Sequence, residues 1–68
     1  MREKKVNFDE KDVVETAEAF GIFPTKEKPG SPLWKEWAVR VMAARRKFEA
    51  GDQLGCTELV IEANCYAF

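Results

Sequence analysis

One stretch decides the fold of this chain: residues 31–51, SPLWKEWAVRVMAARRKFEAG. Ser31 is well suited to cap a helix, and Pro32 fits the first helical position, where a missing N–H group costs nothing. Gly51 suits the left-handed position just after the last turn. Between these signals, apolar residues recur at steps of three and four, at Trp34, Trp37, Val41, Ala44 and Phe48. This spacing predicts a long helix over 32–50 that buries one stripe and forms the central element of the fold.

The segment that precedes the long helix predicts a shorter helix over 9–20. Asp9 is placed to cap its N-terminus, and acidic residues in its first turn interact favourably with the helix dipole. Gly21 ends this helix, and Ile22 can fold back on the last turn in a Schellman-type closure. Residues 22–31 contain two prolines and a glycine, so we expect a connecting loop there.

The last segment, residues 57–68, is compatible with either a helix or a strand, because its apolar residues also alternate. As a helix it would place Leu59 and Ala63 on one face. A strand would need a partner strand to satisfy its backbone hydrogen bonds, and no other segment offers one. We therefore predict a third helix over 56–67. The whole chain, 1–68, is expected to form one small all-α domain of three helices.

A chain of 68 residues is close to the lower size limit for folding without additional stabilisation. Metal binding is not expected, because there is no histidine and the two cysteines lack a ligand spacing. A disulfide is not expected either, because Cys56 and Cys65 on one helix would lie about 13 Å apart. No cofactor is indicated. We therefore expect self-association to complete the domain.

The C-terminal residues are apolar, and 46% of the chain is hydrophobic, which also favours an oligomer. The simplest form is a two-fold dimer that combines the long helix with the C-terminus. Its expected interface residues are Trp34, Trp37, Tyr66 and Phe68. The sequence contains no signal peptide and no transmembrane run, and the two cysteines are consistent with a reduced compartment. We therefore expect a cytoplasmic protein without a membrane role.

The charges are sorted by segment although the net charge is only −1. The long helix has an excess of basic residues, and both neighbouring segments have an excess of acidic ones. One interpretation is that the basic helix pairs with its acidic neighbours. Arg45 lies inside the apolar stripe, where its side chain would either extend to the edge of the core or pair with a carboxylate across an interface. Arg46 and Lys47, by contrast, show no obvious structural role.

The second interpretation is an anion site for phosphate, nucleic acid or an acidic protein. Its candidate residues on the long helix are Arg40, Arg45, Arg46 and Lys47. A smaller anion site could form in the loop before the long helix, where Thr25, Lys26 and Lys28 precede a helix N-terminus. The spacing at neither place is specific for a ligand.

Catalysis is not expected, because the chain lacks histidine, a glycine-rich phosphate loop and any serine other than Ser31. A helix-turn-helix DNA reader is disfavoured, since Glu58 and Glu62 on the third helix would repel phosphates. Trp34 and Trp37 could stack on bases, but their spacing is more typical of a core. In size and charge distribution the chain resembles small phage-type regulators and inhibitors.

Two functions follow as expectations. The first is a non-enzymatic adaptor or inhibitor that acts as a homo-oligomer and docks on another protein through an exposed aromatic residue or the basic face. The second is a binder of an anionic ligand, namely a nucleotide, a cyclic nucleotide or a nucleic acid.

Overall fold

Three helices form the part of the chain described by the computed structural model, residues 9–67. They are α1 (Glu10–Ala19), α2 (Pro32–Glu49) and α3 (Gln53–Asn64), followed by a 3-10 turn at Cys65–Ala67. No strand occurs within these residues, so the all-α three-helix prediction is confirmed. The long helix α2 is central: it packs extensively on α3 and less extensively on α1. The interface prediction for Phe68 lies outside the described residues.

The predicted start and stop signals of α2 are both used. The Ser31 Oγ accepts a hydrogen bond from the Trp34 backbone N–H at 3.2 Å. Gly51 adopts a left-handed conformation with φ +85°. The next residue, Asp52, donates its N–H to the Lys47 carbonyl at 2.9 Å, which is the 6→1 hydrogen bond of a Schellman motif. The helix ends at Glu49, one residue before the predicted boundary, because residue 50 is its C-cap.

The first helix follows the same rules. The Asp9 side chain caps α1 by accepting a hydrogen bond from the Lys11 N–H at 3.1 Å. Gly21 is left-handed at φ +72°, and Ile22 donates its N–H to the Ala17 carbonyl at 2.8 Å. The Ile22 side chain is buried as a result. The predicted Schellman-type closure is therefore confirmed, and it brings the start of the loop back onto the core.

The third helix begins earlier than predicted. The Asp52 carboxylate accepts a hydrogen bond from the Gly55 N–H at 2.9 Å and caps the helix, which starts at Gln53. Gly55 therefore lies inside the first turn and does not interrupt the helix. At the other end the α-helix stops at Asn64, and the 3-10 turn continues it. The helix alternative for this segment is confirmed, but the helix starts three residues before the predicted boundary because the prediction overlooked Asp52 as its N-cap.

The core lies along one side of α2. Its buried apolar residues are Val13, Ala17, Ile22, Trp34, Trp37, Ala38, Val41, Ala44, Cys56 and Ala63. The predicted stripe of α2 is therefore correct except at its last position, Phe48, which is 56% exposed. Cys56 and Cys65 are free thiols.

The two tryptophans are buried within the single chain. Trp37 is 1% exposed, and Trp34 packs against it with the ring centroids 5.9 Å apart. The Trp37 indole N–H donates a hydrogen bond to the Phe23 carbonyl at 3.2 Å. The core of one chain therefore covers both rings, and their predicted role in an interface between copies stays a prediction.

Candidate functional site

The predicted basic face of α2 is largely paired with carboxylates of the same chain. The Arg40 Nε lies 3.6 Å from a Glu62 carboxylate oxygen on α3, and a second guanidinium nitrogen lies 3.9 Å from Glu36. The Arg40 guanidinium also stacks over the Tyr66 ring, 5.3 Å from its centroid. These contacts support the interpretation that the basic helix pairs with its acidic neighbours.

Tyr66 is tied to its own chain in the same cluster. Its hydroxyl donates a hydrogen bond to the Glu36 carboxylate at 3.0 Å. Partial burial and this hydrogen bond raise the pKa of the Tyr66 hydroxyl above its ordinary value of 10.0, and the nearby Arg40 opposes that shift. The contacts give Tyr66 a structural role within one chain. Its predicted role in an interface between copies stays a prediction.

Arg45 lies within ion-pair distance of a carboxylate across the contact between α1 and α2, which is one of the two alternatives left open by the sequence. Its guanidinium lies 3.3 Å from Glu49 on the same helix and 4.0 Å from Asp12 on α1. Lys47 lies 3.6 Å from Asp52, the residue that caps α3. Lys47 therefore has a structural contact that the sequence analysis missed. Arg46 is exposed and forms no ion pair with any side chain of residues 9–67.

The loop before α2 does not join the basic residues near the end of that helix. The Thr25 hydroxyl donates a hydrogen bond to the Tyr66 carbonyl at 3.0 Å, which holds the loop against the end of the chain. Lys26 and Lys28 are exposed. Arg45 is thirteen residues beyond Pro32, so it lies about 20 Å further along the helix axis. The two predicted groups of anion-binding residues are therefore separate.

A groove between α1 and α2 is the candidate site that the structure adds. Its volume is about 450 Å³, within the size range of many ligand-binding clefts. It is lined by Asp12, Glu15, Thr16, Ala19, Phe20, Arg45, Phe48 and Glu49. These residues come from two helices that are distant in sequence, and we call this surface the α1–α2 groove.

The α1–α2 groove combines an exposed aromatic surface with charged residues. The rings of Phe20 and Phe48 are tilted against each other, with their centroids 5.5 Å apart. Phe48 remains largely accessible, and Phe20 is partly buried against the core. Glu15 forms no ion pair with any basic residue in the described part of the chain. The groove can therefore offer both an apolar contact and an available carboxylate.

Sequence reasoning missed this groove because it assigned Phe48 to the core. The apolar periodicity of α2 includes Phe48, and periodicity alone cannot show that no other helix covers this side chain. The available signal was the position of Arg45, a charged residue within the same stripe.

No protein family matches this chain, and neither characterised proteins nor solved structures provide a match. None of the helices in residues 9–67 is long and apolar enough to cross a membrane. The same residues contain no group of three or more His, Cys, Asp or Glu side chains that could hold a metal ion.

Proposed function

We propose that this chain is a non-enzymatic binding protein of the adaptor or inhibitor type, which docks on another protein through the α1–α2 groove. The observation that carries the proposal is the 56% exposure of Phe48 at the edge of a concave surface. Binding energy in protein interfaces concentrates in a few anchor residues, and a large aromatic side chain next to a pocket is suited to that role.

The basic face contributes less to this proposal. Arg40, Arg45 and Lys47 each lie within 4.0 Å of a carboxylate of the same chain, so part of their attraction for an external anion is already offset. Arg46 remains exposed without such a contact among residues 9–67. An aromatic anchor therefore accounts for docking more simply than a basic patch does.

The proposal is tested by comparing Phe48→Ala with Ile61→Ala in affinity capture from a cell extract. Ile61 is a matched control, because its exposure of 59% is close to that of Phe48 and it lies on α3, away from the groove. The wild type and Ile61→Ala should retain the same protein partner. Phe48→Ala should retain much less of it, because truncation of an anchor costs about 2 kcal/mol or more.

Equal recovery by Phe48→Ala and the wild type would contradict docking at the groove. A partner lost only from Ile61→Ala would place the docking surface on α3. Recovery of a nucleotide or nucleic acid, with steep weakening as salt increases, would instead favour the anion-binding alternative. In that case Arg46→Glu should reduce retention more than Phe48→Ala does.

A further inference from the structure

We infer that the partner of the α1–α2 groove inserts an apolar side chain beside a lysine or arginine, and that Arg45 occupies the place of this cation in the free protein. The inference rests on the proposed docking function and specifies the chemistry of the partner. It is carried by the charge of the groove, by the accessibility of its aromatic ring and by the contacts of Arg45.

The charge of the groove favours a basic partner. Three carboxylates line it, from Asp12, Glu15 and Glu49, together with the single guanidinium of Arg45. The lining is therefore net negative. Glu15 is exposed and pairs with no basic side chain among residues 9–67, so it can accept a cation without first losing a contact there. Complementary charge across an interface steers association and selects the partner.

Arg45 demonstrates that a guanidinium fits between the two helices. It bridges Glu49 at 3.3 Å and Asp12 at 4.0 Å, and all three side chains are more than 40% exposed. Solvent-exposed ion pairs of this kind are individually weak. An incoming cation can therefore replace Arg45 beside either carboxylate, while Arg45 moves into solvent.

The aromatic ring provides the second half of the recognition. Phe48 offers an accessible face on which an aliphatic side chain can pack or a guanidinium can stack. A residue pair with one apolar and one cationic side chain would use the ring and the carboxylates together. A purely apolar partner would leave Glu15 without a counterion, and an acidic partner would be repelled.

The inference can be tested with three blocked dipeptides titrated into the full chain and followed by backbone amide NMR. The probes are N-acetyl-leucyl-arginine amide, its neutral glutamine analogue and its acidic glutamate analogue. The arginine peptide should perturb amides of the groove residues and bind about two- to fivefold more tightly than the glutamine peptide, the range expected for one exposed ion pair. The glutamate peptide should bind most weakly. Added salt should reduce these differences.

Three variants separate the roles of the charged residues. Arg45→Met keeps an unbranched apolar side chain but frees two carboxylates, so the arginine peptide should bind about two- to fivefold more tightly. Glu15→Gln should weaken binding of the arginine peptide by a similar factor. Glu18→Gln is the matched control, because Glu18 is exposed on the same helix and does not line the groove. It should leave the affinity unchanged.

Several outcomes would overturn the inference. Equal binding of the arginine and glutamine peptides at the groove would reject the cationic partner, yet it would leave docking through Phe48 intact. Weaker binding of the peptides by folded Arg45→Met would show that Arg45 holds the ligand and does not compete with it. Failure of all three peptides to perturb the groove in the wild type would also reject the inference, and the capture experiment with Phe48→Ala would then judge the docking function separately.

Discussion

Trp37 combines a large apolar surface with one polar atom, and the fold satisfies both requirements. Its ring is buried, and its N–H group donates to the Phe23 carbonyl in the loop before α2. A buried N–H group without an acceptor would cost free energy, so this hydrogen bond makes the loop part of the core. The residue therefore links the long helix to the connection between α1 and α2.

We expect Trp37→Ala to lower the free energy of unfolding by about 3–5 kcal/mol, because it removes a large core side chain and leaves a cavity. Urea denaturation followed by circular dichroism measures this change. Leu33→Ala is the control on the same helix, since Leu33 is about half exposed and should cost less than about 1 kcal/mol. Similar losses for the two variants would contradict the central position of Trp37.

Tyr66 should make the stability of the protein sensitive to high pH. Its pKa is raised above 10.0 in the folded chain by partial burial and by the hydrogen bond to Glu36. The folded state therefore holds this proton more tightly than the unfolded state does. The resulting stabilisation is fully present below the unfolded pKa and is lost as the pH rises through the folded pKa.

We expect Tyr66→Phe to lose less stability than the wild type between about pH 8 and about pH 11, a range that spans the ordinary tyrosine pKa. Thermal unfolding at both pH values, followed by circular dichroism, measures the difference. The two proteins differ only at this hydroxyl, so the comparison isolates the tyrosine. Equal alkaline losses would argue against the contact between Tyr66 and Glu36.

At the scale of the elements, capping residues explain which boundaries could be predicted. Ser31 and Gly51 mark the ends of α2 by chemistry that acts within a few residues, so the sequence alone locates them. The start of α3 was harder to predict, because Gly51 ends one helix and Asp52 caps the next without an intervening loop. Gly55 lies just before the predicted start at residue 56, yet it belongs to the first turn of α3, where the Asp52 carboxylate accepts a hydrogen bond from its N–H group.

We expect Asp52→Ala to cost about 0.5–2 kcal/mol of stability, since it removes the cap of α3. Asp52→Asn should retain most of the stability, because an asparagine oxygen can accept the same hydrogen bond from Gly55. Chemical denaturation of both variants checks the prediction. A loss in Asp52→Asn as large as that in Asp52→Ala would assign the stabilisation to the ion pair with Lys47 instead.

The adjacent residues Arg46 and Lys47 should respond differently to charge reversal. Arg46→Glu should change stability by less than about 0.5 kcal/mol, because the Arg46 side chain is exposed and forms no ion pair among residues 9–67. Lys47→Glu should be more destabilising, since it places a carboxylate beside Asp52. Urea midpoints of the two single variants measure the contrast. Equal midpoints would show that the pair of Lys47 and Asp52 adds no stability in solution.

At the scale of the whole molecule, the groove could not be predicted because it depends on how α1 lies against α2. Phe20 and Phe48 are distant in sequence, and neither carries a local signal that they meet. One charged position in an apolar stripe is visible in the sequence alone, and the contact of Arg45 with Asp12 corresponds to one of the two alternatives that this position left open. The sequence pattern therefore indicated Arg45 on α2, whereas the groove residues of α1 could be identified only from the packing of the two helices.

Self-association remains a prediction, and the structure changes where its interface should be sought. The tryptophans are buried, whereas Leu54 and Ile61 on α3 are 80% and 59% exposed. They are seven residues apart, about two helical turns, so they lie on the same side of α3. A second copy that covers this side would remove apolar surface from water, which favours association.

We therefore expect light scattering at micromolar concentration to report a dimer for the wild type and a monomer for Ile61→Glu, because a charge in an apolar interface is strongly unfavourable. Phe48→Ala is the control: it alters the α1–α2 groove, and the dimer should persist. A wild type that is monomeric at these concentrations would contradict self-association. The exposed residues of α3 would then be available to a different protein, and Ile61→Glu would be the variant with which to detect it.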